Sequence, residues 1–386
     1  MNTTLLRMIA ASALAGSASV QAAGWTIIDL GSTQYVNSSE LALNDNGWVV
    51  FGNRVLAPGA TGYSVVAELF NTSGNTNSFA LVDINNSNAV AGNDASAGYR
   101  QGFVWQAGVR TNLPRAQDYM GYWSSTAGAI NNAGAVVGHA GDYATRWNPG
   151  AGYSSMTVLG ANVGWTIGSG AGVGINDSGQ GLLSAVYPYY RPGYLDGVVD
   201  ARTSEPSTLM PVVPGYQPSG RAINDSNIVV GDALYDCHGF SCTHPFVWEG
   251  NTVTMLPVAT VDDSWPVTGN ARSINDAGQV VGNAYFQGYD SRADLWTETA
   301  GGWVQTDLNT LLPAGSPFWK LADALDINNK GQIVGLGFVN DDPSVAHVFL
   351  LTPVPEPHTW SMILAGLLAV GQIARRRLGR VSAGAR

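Results

Sequence analysis

A short motif that recurs along most of the chain constrains this sequence more than any other feature. An aliphatic residue followed by Asn occurs seven times, at intervals of 41 to 53 residues, and the next residue is always Asp or Asn. Such a period indicates a repeat architecture in which every unit is one supersecondary element. The seven asparagines are Asn44, Asn85, Asn131, Asn176, Asn224, Asn275 and Asn328.

Each motif predicts a β-hairpin. The position three residues after the Asn holds only Gly or Asn, the residue types that adopt a positive φ most readily. We therefore expect a tight turn that ends in a left-handed residue, followed by a β-rich run such as residues 279–282. The turn positions are Gly47, Asn88, Gly134, Gly179, Asn227, Gly278 and Gly331.

Two further strands complete each unit. Segments that end in Trp, such as 103–105 and 246–248, predict a third strand, and residues 303–308 predict a fourth. Four short strands within about 47 residues match the size of a propeller blade.

The two ends of the repeat region predict a closed ring. Residues 25–30 resemble the fourth strand at 303–308, while the last unit stops after a third strand at 347–351. Joining these two segments would complete the last sheet and remove an open edge. We predict an all-β, seven-bladed β-propeller over residues 24–353, with the N-terminal strand closing the last blade. An open array of seven hairpins is the alternative.

The repeat resembles the HAF family of bacterial extracellular repeats. That family has the pattern Ile-Asn-x-x-Gly-x-Val-Val-Gly followed by an aromatic-x-Trp segment, and five of the seven copies here carry Gly in the turn. The His-Ala-Phe triplet of the family appears as His244-Pro245-Phe246 and His347-Val348-Phe349. The resemblance implies an extracellular repeat protein and no particular chemistry.

The N-terminal segment, residues 1–23, predicts a secretory signal peptide. Arg7 supplies the positive n-region, residues 8–20 form a short apolar region, and small residues around Ala22 and Ala23 offer a cleavage site. A buried first helix is the alternative.

The C-terminal segment, residues 354–386, predicts a sorting signal with a membrane-spanning helix. Pro355-Glu356-Pro357 precedes an apolar run over 360–374, which ends in the cluster Arg375-Arg376-Arg377. These three parts in this order resemble the PEP-CTERM sorting signal of Gram-negative bacteria. The resemblance implies an exosortase as partner, transient anchoring in the cytoplasmic membrane, and delivery to the cell surface or extracellular matrix. An ordinary C-terminal anchor is the alternative.

The charge distribution excludes nucleic-acid binding. Residues 24–357 carry all 28 acidic residues and only 12 of the 18 basic ones, a net charge of −16, whereas a nucleic-acid interface needs a basic face. The chain shows no hydrolase, zinc-protease, phosphate-loop or dinucleotide motif, so we expect no cofactor. We expect the arginines of the repeat region to share no common position within the repeat motif.

Three segments are candidate sites. The Asn-Asp turns could hold calcium, but they lack alternating acidic spacing and fit backbone capping better, so we expect no metal. Cys237 and Cys242 predict a small-loop disulfide, with free thiols or zinc as alternatives. A tyrosine-rich segment of the fourth unit could stack on sugar rings, or could merely cover a sheet edge. Its candidate contacts are Tyr187, Tyr189, Tyr190, Arg191 and Tyr194.

The function predicted from these features is that of a non-enzymatic surface or matrix protein. It would present an acidic propeller to exopolysaccharide or to other surface proteins. The rival is a secreted carbohydrate-active enzyme on the same scaffold, which would need convergent acids and arginines at the mouth of the ring. A spacer without a ligand is the third possibility.

Overall fold

The chain folds as an all-β propeller, which confirms the predicted fold class. The computed structural model describes residues 20–22, 24–33, 41–69, 79–150, 152–159, 170–186, 198–203, 208–211, 213–237, 239–259, 268–286, 290–340 and 344–354. The predicted leader up to residue 19, the PEP-CTERM segment from Pro355 onward and the segment with the candidate tyrosines lie outside these residues. In the described part of the chain no helix could span a membrane.

The strands follow one another along the chain with short connections. The first third contains β1 (Val20–Ala22), β2 (Trp25–Ser32), β3 (Leu41–Leu43), β4 (Val49–Phe51), β5 (Arg54–Gly59), β6 (Gly62–Glu68), β7 (Phe79–Ile84), β8 (Val90–Asp94), β9 (Gln101–Gln106) and β10 (Val109–Asn112). The middle contains β11 (Ala116–Gln117), β12 (Trp123–Ile130), β13 (Val136–Ala140), β14 (Tyr143–Trp147), β15 (Met156–Val158), β16 (Gly170–Ile175), β17 (Gly181–Val186), β18 (Val198–Thr203), β19 (Thr208–Leu209) and β20 (Tyr216–Ile223). The last third contains β21 (Val229–Cys237), β22 (Phe240–Glu249), β23 (Thr252–Met255), β24 (Thr268–Ile274), β25 (Val280–Phe286), β26 (Asp290–Thr299), β27 (Gly302–Asp307), the 3₁₀ turn Leu308–Leu311, β28 (Phe318–Ile327), β29 (Ile333–Val339) and β30 (Ala346–Pro353).

These strands form seven antiparallel sheets, which we number in ring order. Sheets 1 and 2 contain β3–β6 and β7–β10, sheet 3 contains β11–β15, sheets 4 to 6 contain β16–β19, β20–β23 and β24–β27, and sheet 7 contains β28–β30 with β2 and β1. The strand of each sheet that ends at the motif Asn is called its first strand: β3, β7, β12, β16, β20, β24 and β28. Each first strand contacts the first strands of both neighbouring sheets, and sheet 7 returns to sheet 1. The sheets therefore surround a common axis.

The apolar core lies between neighbouring sheets. Each buried cluster combines side chains from two adjacent sheets, as where Phe79 of sheet 2 packs with Val50 of sheet 1. The third-strand tryptophans Trp147, Trp248 and Trp296 are fully buried in these interfaces. Their indole N–H groups donate to backbone carbonyls, so burial leaves none of these donors unpaired.

The N-terminal strand completes sheet 7, as the sequence predicts. β2 pairs with β30 in antiparallel register, with Ile27 opposite Leu351. The Nδ1 atom of His347 lies 2.9 Å from a carboxylate oxygen of Asp29 across the same pair of strands. Val20–Ala22, at the end of the predicted leader, adds β1 at the outer edge of β2. Removing this leader would leave the β2–β30 pairing in place.

A carboxyl group is buried inside sheet 6. Asp294 lies in the third strand and is fully inaccessible to solvent, and neither of its oxygens accepts a well-formed hydrogen bond. The equivalent residue of sheet 5 is Phe246, next to the same type of buried Trp. Burial raises the pKa of Asp294 to about 7.

We predict that Asp294→Asn stabilises the protein above pH 7. Between pH 4 and 7 the native state retains a proton that the unfolded chain has released, so the stability contributed by protonated Asp294 is complete below pH 4 and lost as the pH rises through about 7. Asn does not ionise, so the variant should gain about 1–3 kcal/mol at pH 8 and little at pH 4. Urea unfolding at both pH values measures this. Asp236→Asn, at an exposed position of β21, is the control, and equal stability changes for the two variants at pH 8 would contradict the prediction.

Candidate functional site

The seven Asn motifs form one end of the propeller, which we call the turn face. The third residue after each Asn has a φ between 59° and 82°, which confirms the predicted left-handed turn position. In sheet 3 the Oδ1 atom of Asn131 accepts the backbone N–H of Ala135, which closes the turn, and the same side-chain capping occurs in the other turns. These asparagines are buried.

The Asn side chains also join the sheets into a closed circle of hydrogen bonds. The Nδ2 atom of Asn44 donates to the backbone carbonyl of Asn85, and the same bond links each Asn to the next one around the ring. Asn328 donates to the carbonyl of Asn44 and so closes the circle. All seven bonds measure 2.8 to 3.1 Å. Each asparagine side chain therefore caps its own turn and links its sheet to the neighbouring sheet.

A second circle lies outside the first. The backbone N–H of the residue after each Asn donates to the side-chain oxygen of its counterpart in the next sheet, over 2.7 to 2.9 Å. Only Asp or Asn has an oxygen at this reach, which explains why no other residue type occupies the position. The members are Asp45, Asn86, Asn132, Asp177, Asp225, Asp276 and Asn329. Among the described residues, no acidic, His or Cys cluster has the geometry of a metal site.

A cavity of about 460 Å³ follows the ring axis and is lined by the first strands of all seven sheets. Six aspartates line it: Asp45, Asp177, Asp225 and Asp276 belong to the motif turns, whereas Asp83 of sheet 2 and Asp326 of sheet 7 lie on first strands. Asp83 accepts the backbone N–H of Ile130 in the next sheet, and Asp326 accepts that of Leu43. Burial raises the pKa of Asp83 to about 6 and that of Asp326 to about 7, and the nearby charge of Asp83 adds to the shift at Asp326.

Two arginines line the same cavity, Arg221 from sheet 5 and Arg272 from sheet 6. Both stand three residues before the motif Asn, in the sequence Arg-x-Ile-Asn. The expectation that the arginines share no motif position is therefore wrong for these two. A β-bulge explains the placement, because the strand register skips this residue in the first strands of sheets 2 to 7.

The opposite end of the propeller, which we call the aromatic face, carries the exposed rings. First strands begin at this end, since they finish at the Asn turns, and the connections from second to third strands also lie here. Every exposed large aromatic side chain in the described part of the chain falls at these positions. They are Tyr99, Tyr119, Tyr122, Trp123, Tyr143, Phe240, Tyr285 and Trp319.

The densest group of rings lies on sheets 2 and 3. Tyr119 and Tyr122 are 76% and 67% exposed, in the loop that precedes Trp123. The Asp118 carboxylate accepts the backbone N–H groups of Met120 and Tyr122, which holds the loop in shape. The rings are thus presented by a fixed backbone, so binding would not have to order this loop.

A second feature of the aromatic face is the hairpin of β21 and β22. A disulfide joins Cys237 and Cys242, whose Cα atoms lie 5.9 Å apart, and Phe240 is exposed at the tip. Tyr216 and Tyr235 pack against each other at the base, with ring centroids 5.3 Å apart. The candidate contacts Tyr187 to Tyr194 lie between β17 and β18, outside the described residues, and stay a prediction.

Sequence reasoning missed the exposed rings and the four charged groups that first strands place in the cavity, Asp83, Asp326, Arg221 and Arg272. The arginines and the acids could have been identified from the sequence, because both pairs stand at fixed distances from the motif Asn. The rings carry no such signal, since residues from 99 to 319 meet at one face only through the direction of the strands.

Comparison with known proteins identifies the C-terminal segment. Residues 353–378 match the family model of the PEP-CTERM protein-sorting motif, so the chain carries the sorting signal of exosortase-dependent export. This match includes Pro355, Glu356, Pro357 and the cluster that begins at Arg375. No curated protein matches the chain.

Solved structures are similar to this chain. One is the β-propeller domain of the Trilobed protease from Pyrococcus furiosus, which has an open velcro topology, with 10% identity, a TM-score of 0.50, and coverage of 84% of this chain and 94% of that chain. Another is the uncomplexed acylaminoacyl peptidase of Pyrococcus horikoshii, with 11% identity, a TM-score of 0.47, and coverage of 85% of this chain and 54% of that chain. The first of these similarities shows the propeller fold and nothing more.

We predict that Asn131→Asp weakens the ring. The substitution keeps the shape but replaces the Nδ2 donor to the Asn176 carbonyl with a carboxylate oxygen, which leaves a buried charge facing an acceptor. The cost should be about 3 kcal/mol or more. Thermal and urea unfolding at pH 7 measure it. Asn251→Asp, in an exposed turn, is the control, and an equal effect for both would show that the circle of hydrogen bonds does not hold the sheets together.

Proposed function

We propose that this protein is exported, sorted by an exosortase, and displayed at the cell surface or in the extracellular matrix, where its aromatic face binds polysaccharide. The sorting motif supports the route, and the predicted leader and membrane-spanning segment complete it. The repeat resemblance to extracellular HAF proteins agrees with the same destination. The observation that carries the binding role is the gathering of eight exposed aromatic side chains on one face.

The chemistry of this face suits sugar rings. Tyr and Trp offer flat apolar surfaces with a polar group at the edge, a combination that stacks on a pyranose and bonds its hydroxyls. The Arg115 guanidinium lies 4.3 Å from the centre of the Tyr99 ring and fixes another of these side chains. Because residues 24–357 carry a net charge of −16, the propeller should repel acidic polymers and prefer neutral ones. Surface proteins are the second class of partner that such a face suits.

A carbohydrate-active enzyme is the second candidate function. The observation that favours it is the pair Asp83 and Asp326, both with raised pKa, beside two arginines in one cavity. Against it, both carboxylates accept backbone N–H groups and so serve the scaffold. Release of reducing ends from bacterial polysaccharides would establish this alternative in place of simple binding.

We predict that removing residues 355–386 abolishes surface or matrix delivery. The deletion removes the Pro-Glu-Pro motif and the arginine cluster but leaves β30 intact. Fractionation of the native host, or a Gram-negative host with an exosortase, should show the full chain at the surface or in the matrix and the shortened chain elsewhere. A milder variant, with Pro355 and Pro357 changed to Ala, controls for loss of the anchor itself. An unchanged location for the deletion would contradict the proposed route.

We predict that the triple variant Tyr119→Ala, Tyr122→Ala, Trp123→Ala binds neutral polysaccharide at least tenfold more weakly. Each lost ring should cost about 0.5–1.5 kcal/mol of binding free energy, so the loss of three rings weakens the affinity by more than a factor of ten. Affinity electrophoresis against neutral and acidic polysaccharides measures the change, and thermal unfolding should move little because these side chains are exposed. The matched control is Val109→Ala with Val304→Ala, which removes exposed apolar groups from outer strands. Equal retention of both variants would refute the role of this face.

A further inference from the structure

A second cavity lies at the aromatic-face end of sheet 7. It measures about 590 Å³, which falls in the range of small-molecule sites. Ser32 at the end of β2 and Val339 at the end of β29 line it, together with the segment 315–317 that precedes β28. These positions lie at the end of the sheet opposite the Asn turns, so the cavity belongs to the aromatic face.

An Asp–His pair lines this cavity. The Nδ1 atom of His347 lies 2.9 Å from one carboxylate oxygen of Asp29 and 3.1 Å from the other. A carboxylate at this place keeps the hydrogen of a neutral imidazole on Nδ1, which leaves Nε2 as an acceptor. The side chains of Asp29 and His347 are 27% and 17% exposed, so a small ligand can reach both.

The closing strand of the ring creates this pair. His244 of sheet 5 occupies the same strand position as His347, two residues before a fully buried Phe. The His244 ring, however, packs against the rings of Tyr216 and Tyr235. His347 instead meets Asp29, which β2 brings from the other end of the chain. The N-terminal strand therefore gives sheet 7 a polar site at this position.

Asn340 and Ser32 add further polar groups to the lining. The backbone N–H of Asn340 donates to the Pro317 carbonyl over 2.8 Å, and its Nδ2 donates to the Ser316 carbonyl over 3.0 Å. An amide side chain has two donor hydrogens and two acceptor positions, so this one bond orients Asn340 without using all of them. The side chain of Ser32 is exposed, and its hydroxyl can donate and accept. Groups held in this way bind without first having to be ordered.

The lining selects a neutral ligand with several hydroxyl groups. None of the described residues that line the cavity is Lys or Arg, so an anion finds no charged partner there. The single carboxylate already contacts His347 and accepts the backbone N–H of Gly31, and one such group does not form the oxygen cage that a hard cation needs. Imidazole, amide and hydroxyl groups suit sugar hydroxyls, while Pro317 and Val339 offer apolar surface to the carbon atoms of a sugar ring.

We propose that this cavity is the specificity subsite of the aromatic face and binds one or two residues of a neutral glycan. Asp29 and the Nε2 atom of His347 accept hydroxyl hydrogens, Asn340 and Ser32 bond further hydroxyls, and the exposed rings of the face hold other parts of the polymer. The inference rests on the proposed polysaccharide binding for the nature of the polymer, whereas small sugars test the cavity by itself.

Titration of the full chain with small sugars, followed by calorimetry and by saturation-transfer NMR, tests the subsite. The neutral probes are glucose, galactose, mannose, N-acetylglucosamine and their disaccharides, while glucuronate and galacturonate carry a negative charge on the same kind of ring. At least one neutral sugar should bind tenfold or more tightly than both uronates. If none of the neutral sugars binds, or if a uronate binds as tightly as the best of them, the proposal is overturned.

Variants connect the binding to the named residues. Ser32→Leu puts an apolar side chain into the cavity while keeping both members of the Asp–His pair, and should weaken the best sugar at least tenfold. His347→Phe keeps a ring but removes Nε2 and should weaken the sugar likewise, and its thermal unfolding shows whether the β2–β30 pairing persists. Asn340→Ala should also weaken binding, whereas its matched control Asn251→Ala, in the exposed turn between β22 and β23, should not.

The outcomes separate this subsite from polysaccharide binding as such. Unchanged sugar affinity in Ser32→Leu and Asn340→Ala would overturn the subsite, even where the triple ring variant shows that the aromatic face binds polysaccharide. Loss of small-sugar binding in both variants would support the subsite. If the unaltered protein then retained no neutral polysaccharide, the sugar site would stand and the proposed polymer binding would fall.

Discussion

The closed circle of asparagine hydrogen bonds is the constraint on which the structure depends. A buried amide must satisfy both its oxygen and its N–H groups. Asn131 does so by capping its own turn through Oδ1 and by reaching the next turn through Nδ2. Because the last donor meets the first acceptor, no sheet can leave the ring without orphaning a buried group on each side. The circle therefore closes the propeller at the axis, while the β2–β30 pairing closes it at the sequence termini.

This constraint acts at the turn face only, so the two ends of the propeller have different roles. At the turn face the spacing of backbone and side chain is fixed in every sheet, so the sequence varies little there. The connections at the other face differ in length by many residues, because nothing in the circle depends on them. Exposed aromatic side chains collect at that free end, as functional groups commonly do on loops carried by a rigid scaffold.

The repeat motif made the fold predictable to a large extent. The Asn and the left-handed Gly or Asn are local signals, and each has a single physical reason that can be read without coordinates. The closing strand was also predictable, since residues 25–30 match a strand type that the last unit lacks. The destination of the Asn side chain was not, because its partner lies in the next unit and sequence does not show which sheets are neighbours. The same limit hid the aromatic face, whose members are scattered between Tyr99 and Trp319.

The arginines of the cavity show how a scaffold under such constraint can still change its chemistry. The strand register skips Arg221 and Arg272, each three places before its motif Asn, so neither residue is opposite a partner in the neighbouring strand. Within this one chain the motif position is always Asn, whereas the skipped position holds Leu, Val, Gly or Arg. Two positions that lie three residues apart thus have different roles. One residue maintains the ring, and the other sets the charge of the cavity that the ring encloses.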